Sequence, residues 1–405
     1  MQEITDLNEL MKKRLLFVLG TRPEGIKLAP LILECQRQTD VFTIEICITG
    51  QHQQMLQQVL TLFNLLPDYD LALMQQGQDL FDLTARILLQ MRDVLKKSQP
   101  DLVLVHGDTA TSTAAALAAF YQKIPVAHVE AGLRTYNLYS PWPEEANRQL
   151  TSRLATYHFA PTHHARKNLE SENIQTDQIL VTGNTVIDAL HLVVKRFETD
   201  VQLEDSAASS IREAGYSMSR VKDGKRLVLI TGHRRESFGQ GIVNICQAIR
   251  TLADKFEDVD FVYPVHLNPQ VQQPVRQILG VSASNNIYLI DPLDYLSFIY
   301  LMKTAYLLVS DSGGVQEEAP SLGKPVLVTR DTTERPEAVQ AGTVRLVGTD
   351  TQCIINAVSE LLNDEQAYQR MSLAHNPYGD GTTSRQIVAY LRQQMFSTAS
   401  PLTQE

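Results

Sequence analysis

Cysteine is scarce, and the four present, Cys35, Cys47, Cys246 and Cys353, are scattered without a C-x-x-C pair. That spacing argues against a disulfide framework or a thiolate zinc site and fits a reducing cytosol. No stretch approaches the roughly 18 apolar residues of a membrane span. The run Leu15 to Leu19 follows Lys12, Lys13 and Arg14 as a signal peptide core would, but Thr21-Arg22-Pro23-Glu24 comes next, so the run reads as a buried strand. Positive charge is also short. Against 46 Asp plus Glu stand 36 Lys plus Arg, and a net charge of −10 argues against nucleic acid or an anionic membrane as partner. No G-x-G-x-x-G follows the first strand candidate, and neither G-x-x-x-x-G-K-[ST] nor H-E-x-x-H occurs. Redox cofactors and ATP hydrolysis lose ground, no metal or cofactor is expected, and the protein reads as soluble and cytoplasmic.

What remains is a well-mixed globular composition. With 405 residues, 43% of them hydrophobic and 20% charged, the chain is long enough for two or three domains with sizeable cores. Short apolar runs alternate with longer segments of helical period, the signature of βα units around a parallel sheet. One series of strand candidates comprises Leu15 to Leu19, Thr43 to Ile48, Leu102 to Val105, Val126 to Val129, His158 to Ala160 and Ile179 to Thr182. A second comprises Leu227 to Ile230, Asp260 to Pro264, Ile287 to Leu289, Tyr306 to Val309, Pro325 to Val328 and Thr343 to Leu346. Between them lies a polar, Ser-rich stretch without strand character. The expected organisation is an α/β chain with two Rossmann-like domains, 11–190 and 226–380, joined by a linker region at 191–225. Residues 381–396 carry an amphipathic helix with Ile387, Leu391 and Met395 at four-residue spacing, and the polar tail Ser397 to Glu405 is expected to fray.

In such sheets ligands bind outside the carboxyl ends of the strands, and the residues there are polar. The first strand ends in Gly20-Thr21-Arg22-Pro23-Glu24-Gly25-Ile26-Lys27, which puts Arg22 and Lys27 on a turn entering a helix. The strand ending at Val105 runs into His106-Gly107-Asp108-Thr109, and the next into His128-Val129-Glu130-Ala131-Gly132. Asp108 and Glu130 are therefore expected at the ends of neighbouring strands in one crevice, with Glu144 or Glu145 adding a third carboxylate. Taken singly, each acid could be a helix cap or a surface carboxylate. As a pair in a partly buried cleft, like charges raise one pKa and supply an acid and a base at neutral pH.

The second half offers the opposite charge. Thr231-Gly232-His233-Arg234-Arg235 follows a strand and suits a diphosphate. Ser310-Asp311-Ser312-Gly313-Gly314 opens a helix whose free amides and dipole would hold phosphate oxygens, and Glu318, one turn on, could accept from ribose hydroxyls. Arg335, in the polar loop after Pro325 to Val328, is a further phosphate or ribose candidate. Among the histidines, His163 and His164 read as a solvated helix start, and His106, His128 and His158 as core residues in or beside strands. Only His233 stands in a cluster that argues for function.

Taken in order, GTRPEGIKLAP, TGQH, VHGDT, HVEAGLRT, PWPEEANR, TGNTVIDAL, TGHRRESFG, PVHLNP, SDSGGVQEEAPSLGKPVLV and TTERPEA resemble the bacterial non-hydrolysing UDP-N-acetylglucosamine 2-epimerases from about Met11 to Tyr390. The resemblance implies a fold of GT-B type, with substrate in a cleft between the two domains and the last helix crossing back onto the first. It implies UDP-N-acetylglucosamine and UDP-N-acetylmannosamine as ligands, a homodimer and no cofactor. By the same resemblance nucleotide contacts fall on Arg22, Lys27, Phe298, Ser312, Gly313, Gly314, Glu318 and Arg335, and a catalytic group on Asp108, Glu130, Glu144 and His233. Leu293 stands where some relatives carry Gln beside the uracil, which implies a backbone contact. An activating second substrate molecule would touch Gln51, His52, Gln78, Arg234 and His266. Gly77 stands where certain relatives have Arg, so one charged contact of that site is missing.

The chemistry constrains the reaction. Carbon 2 of the sugar is not next to a carbonyl, so its proton needs an electron sink. Loss of UDP from carbon 1 supplies one, and in the α-linked sugar both groups are axial on opposite faces, which suits anti elimination to 2-acetamidoglucal. A GT-B glycosyltransferase would share the nucleotide cradle but need an acceptor, and is the competing reading. Which acid is the base cannot be read from spacing.

Overall fold

The structure, a computed structural model, describes residues 12–50, 53–74, 77–281 and 284–396. The chain divides into two units, one running to Ala189 and resuming at Tyr378, the other spanning Leu190–Pro377. In the first, β1 (Lys13–Leu19), α1 (Arg22–Gln36), β2 (Phe42–Ile48), α2 (Gln53–Leu62), β3 (Tyr69–Asp70), α3 (Leu80–Ser98), β4 (Leu102–His106) and α4 (Ala110–Tyr121) alternate. They continue through β5 (Val126–Val129), α5 (Glu144–Leu154), β6 (Tyr157–Ala160), α6 (His163–Ser171) and β7 (Ile179–Val181). The strands form one sheet in the order β3-β2-β1-β4-β5-β6-β7, every pair parallel. Helices cover both faces, so all residues of β4 and β5 are buried, which explains why both strands are apolar except for His106 and His128. Strand β3 has two residues, held by the pairings Cys47 with Tyr69 and Ile48 with Asp70, and is too short to leave a sequence pattern.

The turn from β1 into α1 is fixed locally. Thr21 accepts from the Glu24 amide and Glu24 reaches back to the Thr21 amide, a capping box with Pro23 inside the first turn.

The stretch at 191–225 is not an extended connection. Helix α7 (Thr185–Thr199) spans the change of unit, and α8 (Val201–Ala214) and α9 (Ser219–Lys222) follow. Tyr216 and Arg220 close on the buried Asp260 carboxylate, at 3.0 Å for the phenol and 2.7 and 2.9 Å for the guanidinium, so this stretch is tied into the second unit. Its strands are β8 (Arg226–Thr231), β9 (Val259–Pro264), β10 (Ile287–Ile290), β11 (Leu307–Ser310), β12 (Val326–Val328) and β13 (Val344–Leu346). They are connected by α10 (Gln240–Lys255), α11 (Pro269–Leu279), α12 (Tyr295–Thr304), α13 (Gly313–Ser321) and α14 (Pro336–Ala341), with α15 (Thr351–Asn363) and α16 (Glu365–Ser372) after β13. The sheet order is β10-β9-β8-β11-β12-β13, again parallel, so the direction of winding reverses between β8 and β11.

The last helix, α17 (Thr383–Phe396), belongs to the first unit and packs on α1. Its Tyr390 ring meets Tyr157 and Phe159 edge-on at 6.0 and 5.8 Å. Among the described residues no helix is long and apolar enough to cross a membrane.

Candidate active site

In the first unit the winding reverses between β1 and β4, and the polar residues collect at the carboxyl ends of β1, β4 and β5. Glu24 ties two of these ends together. Its Oε2 accepts from the Gly20 and Thr21 amides and the Thr21 hydroxyl, while Oε1 accepts from Thr109 at 2.6 Å and Ser112 at 3.1 Å. Burial pushes this carboxyl up and the hydrogen bonds draw it back.

Asp108 and Glu130 do lie at the ends of adjacent strands. They are not, however, held against each other as bare like charges. Oδ2 of Asp108 accepts from Nε and an amino nitrogen of Arg148 at 3.0 and 2.7 Å, and Arg148 reaches the fully buried Glu145 at 3.3 Å. Glu130 forms an ion pair with Lys27 and accepts from Nδ2 of Asn184 at 2.6 Å. Each acid has its own cation, so mutual repulsion does not govern the pair. The Glu130 backbone sits at φ 62°, a left-handed conformation uncommon for a residue with a side chain.

Glu144 opens α5, and its Oε2 is buried without a hydrogen-bond partner. Arg22 stands half-buried at the start of α1. His106, His128 and His158 are buried, as core residues should be. Burial pulls them down to about 4, about 3 and about 4 respectively. His106 lies with Nε2 3.8 Å from the Glu130 carboxylate, while Nε2 of His128 is 2.7 Å from the Gly107 carbonyl. His163 and His164 are exposed on the first turn of α6.

In the second unit His233 follows β8 and Ser312 follows β11, on the two sides of the point where the winding reverses. Asp311 accepts the backbone amides of His233 and Arg234 at 2.7 and 2.8 Å. The His266 ring stacks on His233 with centroids 5.5 Å apart, and Arg234 is the next residue along the chain, so both activator candidates of this unit stand beside a catalytic candidate. Helix α13 begins at Gly313 with no side chain capping it. The Arg335 guanidinium lies directly over Gly313, where a Cβ would come within 2.5 Å of it. Arg335 is bonded to Glu317 and Glu334, each at 2.6 Å, so it braces this turn as an ion-pair partner. Oε1 of Glu318 accepts from Tyr295 at 2.8 Å, which ties α12, the helix of Phe298, to α13. Leu293 sits half-buried in the connection before α12. Gln78 lies at the start of the turn into α3, near Met74, and Gln51 and His52 lie outside the described residues.

The family model for UDP-N-acetylglucosamine 2-epimerase matches residues 33–392. The chain belongs to this epimerase family. Its members named here are isomerases, and the chain is 55% identical over 384 residues to the UDP-N-acetylglucosamine 2-epimerase of Salmonella typhimurium, across 95% of this chain and 100% of the relative. The crystal structure of the Neisseria meningitidis epimerase bound to UDP-GlcNAc is 52% identical, covers 93% of this chain and 99% of its own, and superposes with a TM-score of 0.85. The Methanocaldococcus jannaschii epimerase in complex with UDP-GlcNAc and UDP is 35% identical, with a TM-score of 0.76, over 93% of this chain and 99% of its own. The two parallel-sheet units are those of the GT-B epimerases.

Four residues that the sequence reading left without a role thus hold the epimerase candidates in place: Glu24, Arg148, Asn184 and Asp311. Each stood inside a quoted motif. The spacing of charges along the chain does not reveal partners 78 residues apart, as Asp311 and His233 are.

Proposed function

We propose that this chain interconverts UDP-N-acetylglucosamine and UDP-N-acetylmannosamine by eliminating UDP to 2-acetamidoglucal and adding it back. The observation that carries this reading is the pair of carboxylates on neighbouring strand ends, each braced by a buried cation. A base must be aimed at one carbon while a second acid serves the opposite face, and a carboxylate fixed by an ion pair and hydrogen bonds meets that need. A carboxylate from Asp108, Glu130 or Glu144 removes the carbon 2 proton. The carbon 1 to oxygen bond breaks, its electron pair leaves on the diphosphate, and the former carbon–hydrogen pair forms the glucal double bond.

His233, Arg22 and the amides at the start of α13 stabilise the departing UDP. A second acid then protonates the other face of carbon 2 as UDP returns. Arg335 and Glu318 enter as the framework of the nucleotide cradle. The product would supply N-acetylmannosamine units for bacterial surface polysaccharide.

The test is turnover of UDP-N-acetylglucosamine in deuterium oxide, followed by NMR. Deuterium at carbon 2 of UDP-N-acetylmannosamine is the expected result. Product without deuterium eliminates the route, and a requirement for an acceptor sugar returns the reading to a glycosyltransferase.

A further inference from the structure

The turn that carries His233 is supported by a carboxylate that the proposed chemistry does not use. Asp311 is the first residue after β11 and is 1% exposed. Its Oδ2 is satisfied by the amides of His233 and Arg234. Its Oδ1 has no hydrogen-bond partner and lies 3.5 Å from Nδ1 of His233. A buried carboxylate oxygen without a donor is costly, and the group facing it here is the imidazole.

The other groups around that ring do not favour charge on it. Burial lowers His233 below the ordinary histidine range, and Arg234 and the stacked His266 push the same way, whereas Asp311 opposes them. On the β9 side stands Tyr263, whose hydroxyl is 3.4 Å from the Gly232 carbonyl. The His233 side chain itself is 41% exposed, so its outer edge can meet a ligand.

We propose that Asp311 is a positioning residue for His233, orienting its Nδ1–H toward Oδ1, presenting Nε2 to the departing diphosphate and stabilising the imidazolium while negative charge develops on the phosphate oxygen. This rests on the reading that His233 meets the leaving group. The arrangement follows the logic by which a buried Asp holds a catalytic imidazole in one tautomer.

Asp311→Asn separates charge from shape, because an amide oxygen can still accept the two backbone N–H groups. Turnover should fall about tenfold to a hundredfold, with KM changed by less than about threefold. The alkaline limb of the kcat profile should move to lower pH, since the imidazolium has lost its carboxylate. In a His233→Gln background Asp311→Asn should add less than about a twofold effect. Wild-type kcat and pH profile in Asp311→Asn overturn the proposal, and so does an equal loss in both backgrounds, which would mean a purely structural role.

Wild-type turnover in His233→Gln also overturns it, while deuterium incorporation in that same variant leaves the epimerase reading standing. Should Asp311→Asn fail to fold, imidazole ¹⁵N shifts of the wild-type protein, assigned by the signal lost in His233→Gln, decide the matter. The Nδ1–H tautomer is expected; the Nε2–H tautomer refutes the proposal.

Discussion

Asn184 donates Nδ2 to Oε2 of Glu130 at 2.6 Å while its own Oδ1 accepts the Val186 amide at 3.1 Å in the first turn of α7. The amide therefore has one useful orientation: turned round, it would set an oxygen against the carboxylate and an NH₂ against an N–H. Its backbone is held as well, by a 2.7 Å bond from its N–H to the Tyr378 carbonyl. Lys27 reaches the same oxygen of Glu130 from α1. Together these contacts hold the Glu130 side chain from two helices, on a residue whose backbone is already in a sparsely populated conformation.

Asn184→Ala and Asn184→Asp should therefore fail differently. Alanine removes the helix cap and the donor to Glu130, costing about 1 kcal/mol for the cap and about 1–3 kcal/mol for the carboxylate. Aspartate keeps the cap but faces Glu130 with a second anion. The alanine variant should unfold at lower denaturant than wild type and turn over more slowly, and the aspartate variant should be the slower of the two near pH 7. Equal turnover in all three proteins would detach Asn184 from the chemistry.

Arg148 has a heavier structural load. It is 7% exposed and serves Asp108 through two nitrogens and Glu145 through a third. Arg148→Met would leave the fully buried Glu145 without this cation and should cost about 3–5 kcal/mol in urea unfolding. Arg148→Lys keeps the charge but cannot reproduce the fork, so it should recover part of the stability and little of the turnover. A methionine variant as stable as wild type would contradict this account.

Much of this architecture was legible because parallel strands are buried on both faces and announce themselves as apolar runs. Val126–Val129 is observed at its expected bounds, and the first strand of each unit only gains flanking residues. The adjacency of Asp108 and Glu130 was legible for the same reason, since each follows such a run. The partners were not: the Arg148 guanidinium reaches Asp108 across 40 residues and the Asn184 amide reaches Glu130 across 54, distances over which no periodicity carries information. The helices at 201–222 were missed because their polar, Ser-rich faces look like a linker, while the contacts that dock them run through a few residues such as Tyr216 and Arg220.

The paired glycines at the start of α13 should not be equivalent. A Cβ on Gly313 would lie 2.5 Å from one Arg335 amino nitrogen and 2.7 Å from its central carbon, and ion pairs to Glu317 and Glu334 hold that guanidinium. A Cβ on Gly314 meets nothing nearer than 3.6 Å. Gly313→Ala should cost about 1–3 kcal/mol of stability and weaken UDP binding, whereas Gly314→Ala should change stability by less than about 0.5 kcal/mol. Thermal melts with and without UDP, read with calorimetric titration, check both statements. Equal melting temperatures for the two variants would show that Arg335 yields.

Acid should weaken the first unit before any carboxylate needs to be neutralised. His106, His128 and His158 stand at about 4, about 3 and about 4 in the folded chain, held down chiefly by burial, against an ordinary value of 6.5. The unfolded chain therefore takes up protons that the folded chain refuses, and stability falls as pH drops from 6.5 toward the folded values. By pH 5 each residue should contribute a loss of about 2 kcal/mol. Glu24 and Asp188, pushed up by burial, work in the opposite direction, because the folded chain binds their protons more readily. With three histidines against two carboxylates, the urea midpoint should fall between pH 6.5 and 4.5, and hydrogen exchange should show the loss in strands β4, β5 and β6. His158→Phe, which removes one of the three titrations, should make the slope shallower by about one proton. An unchanged slope would mean that His158 is already protonated in the fold, a state its burial at 1% exposure opposes.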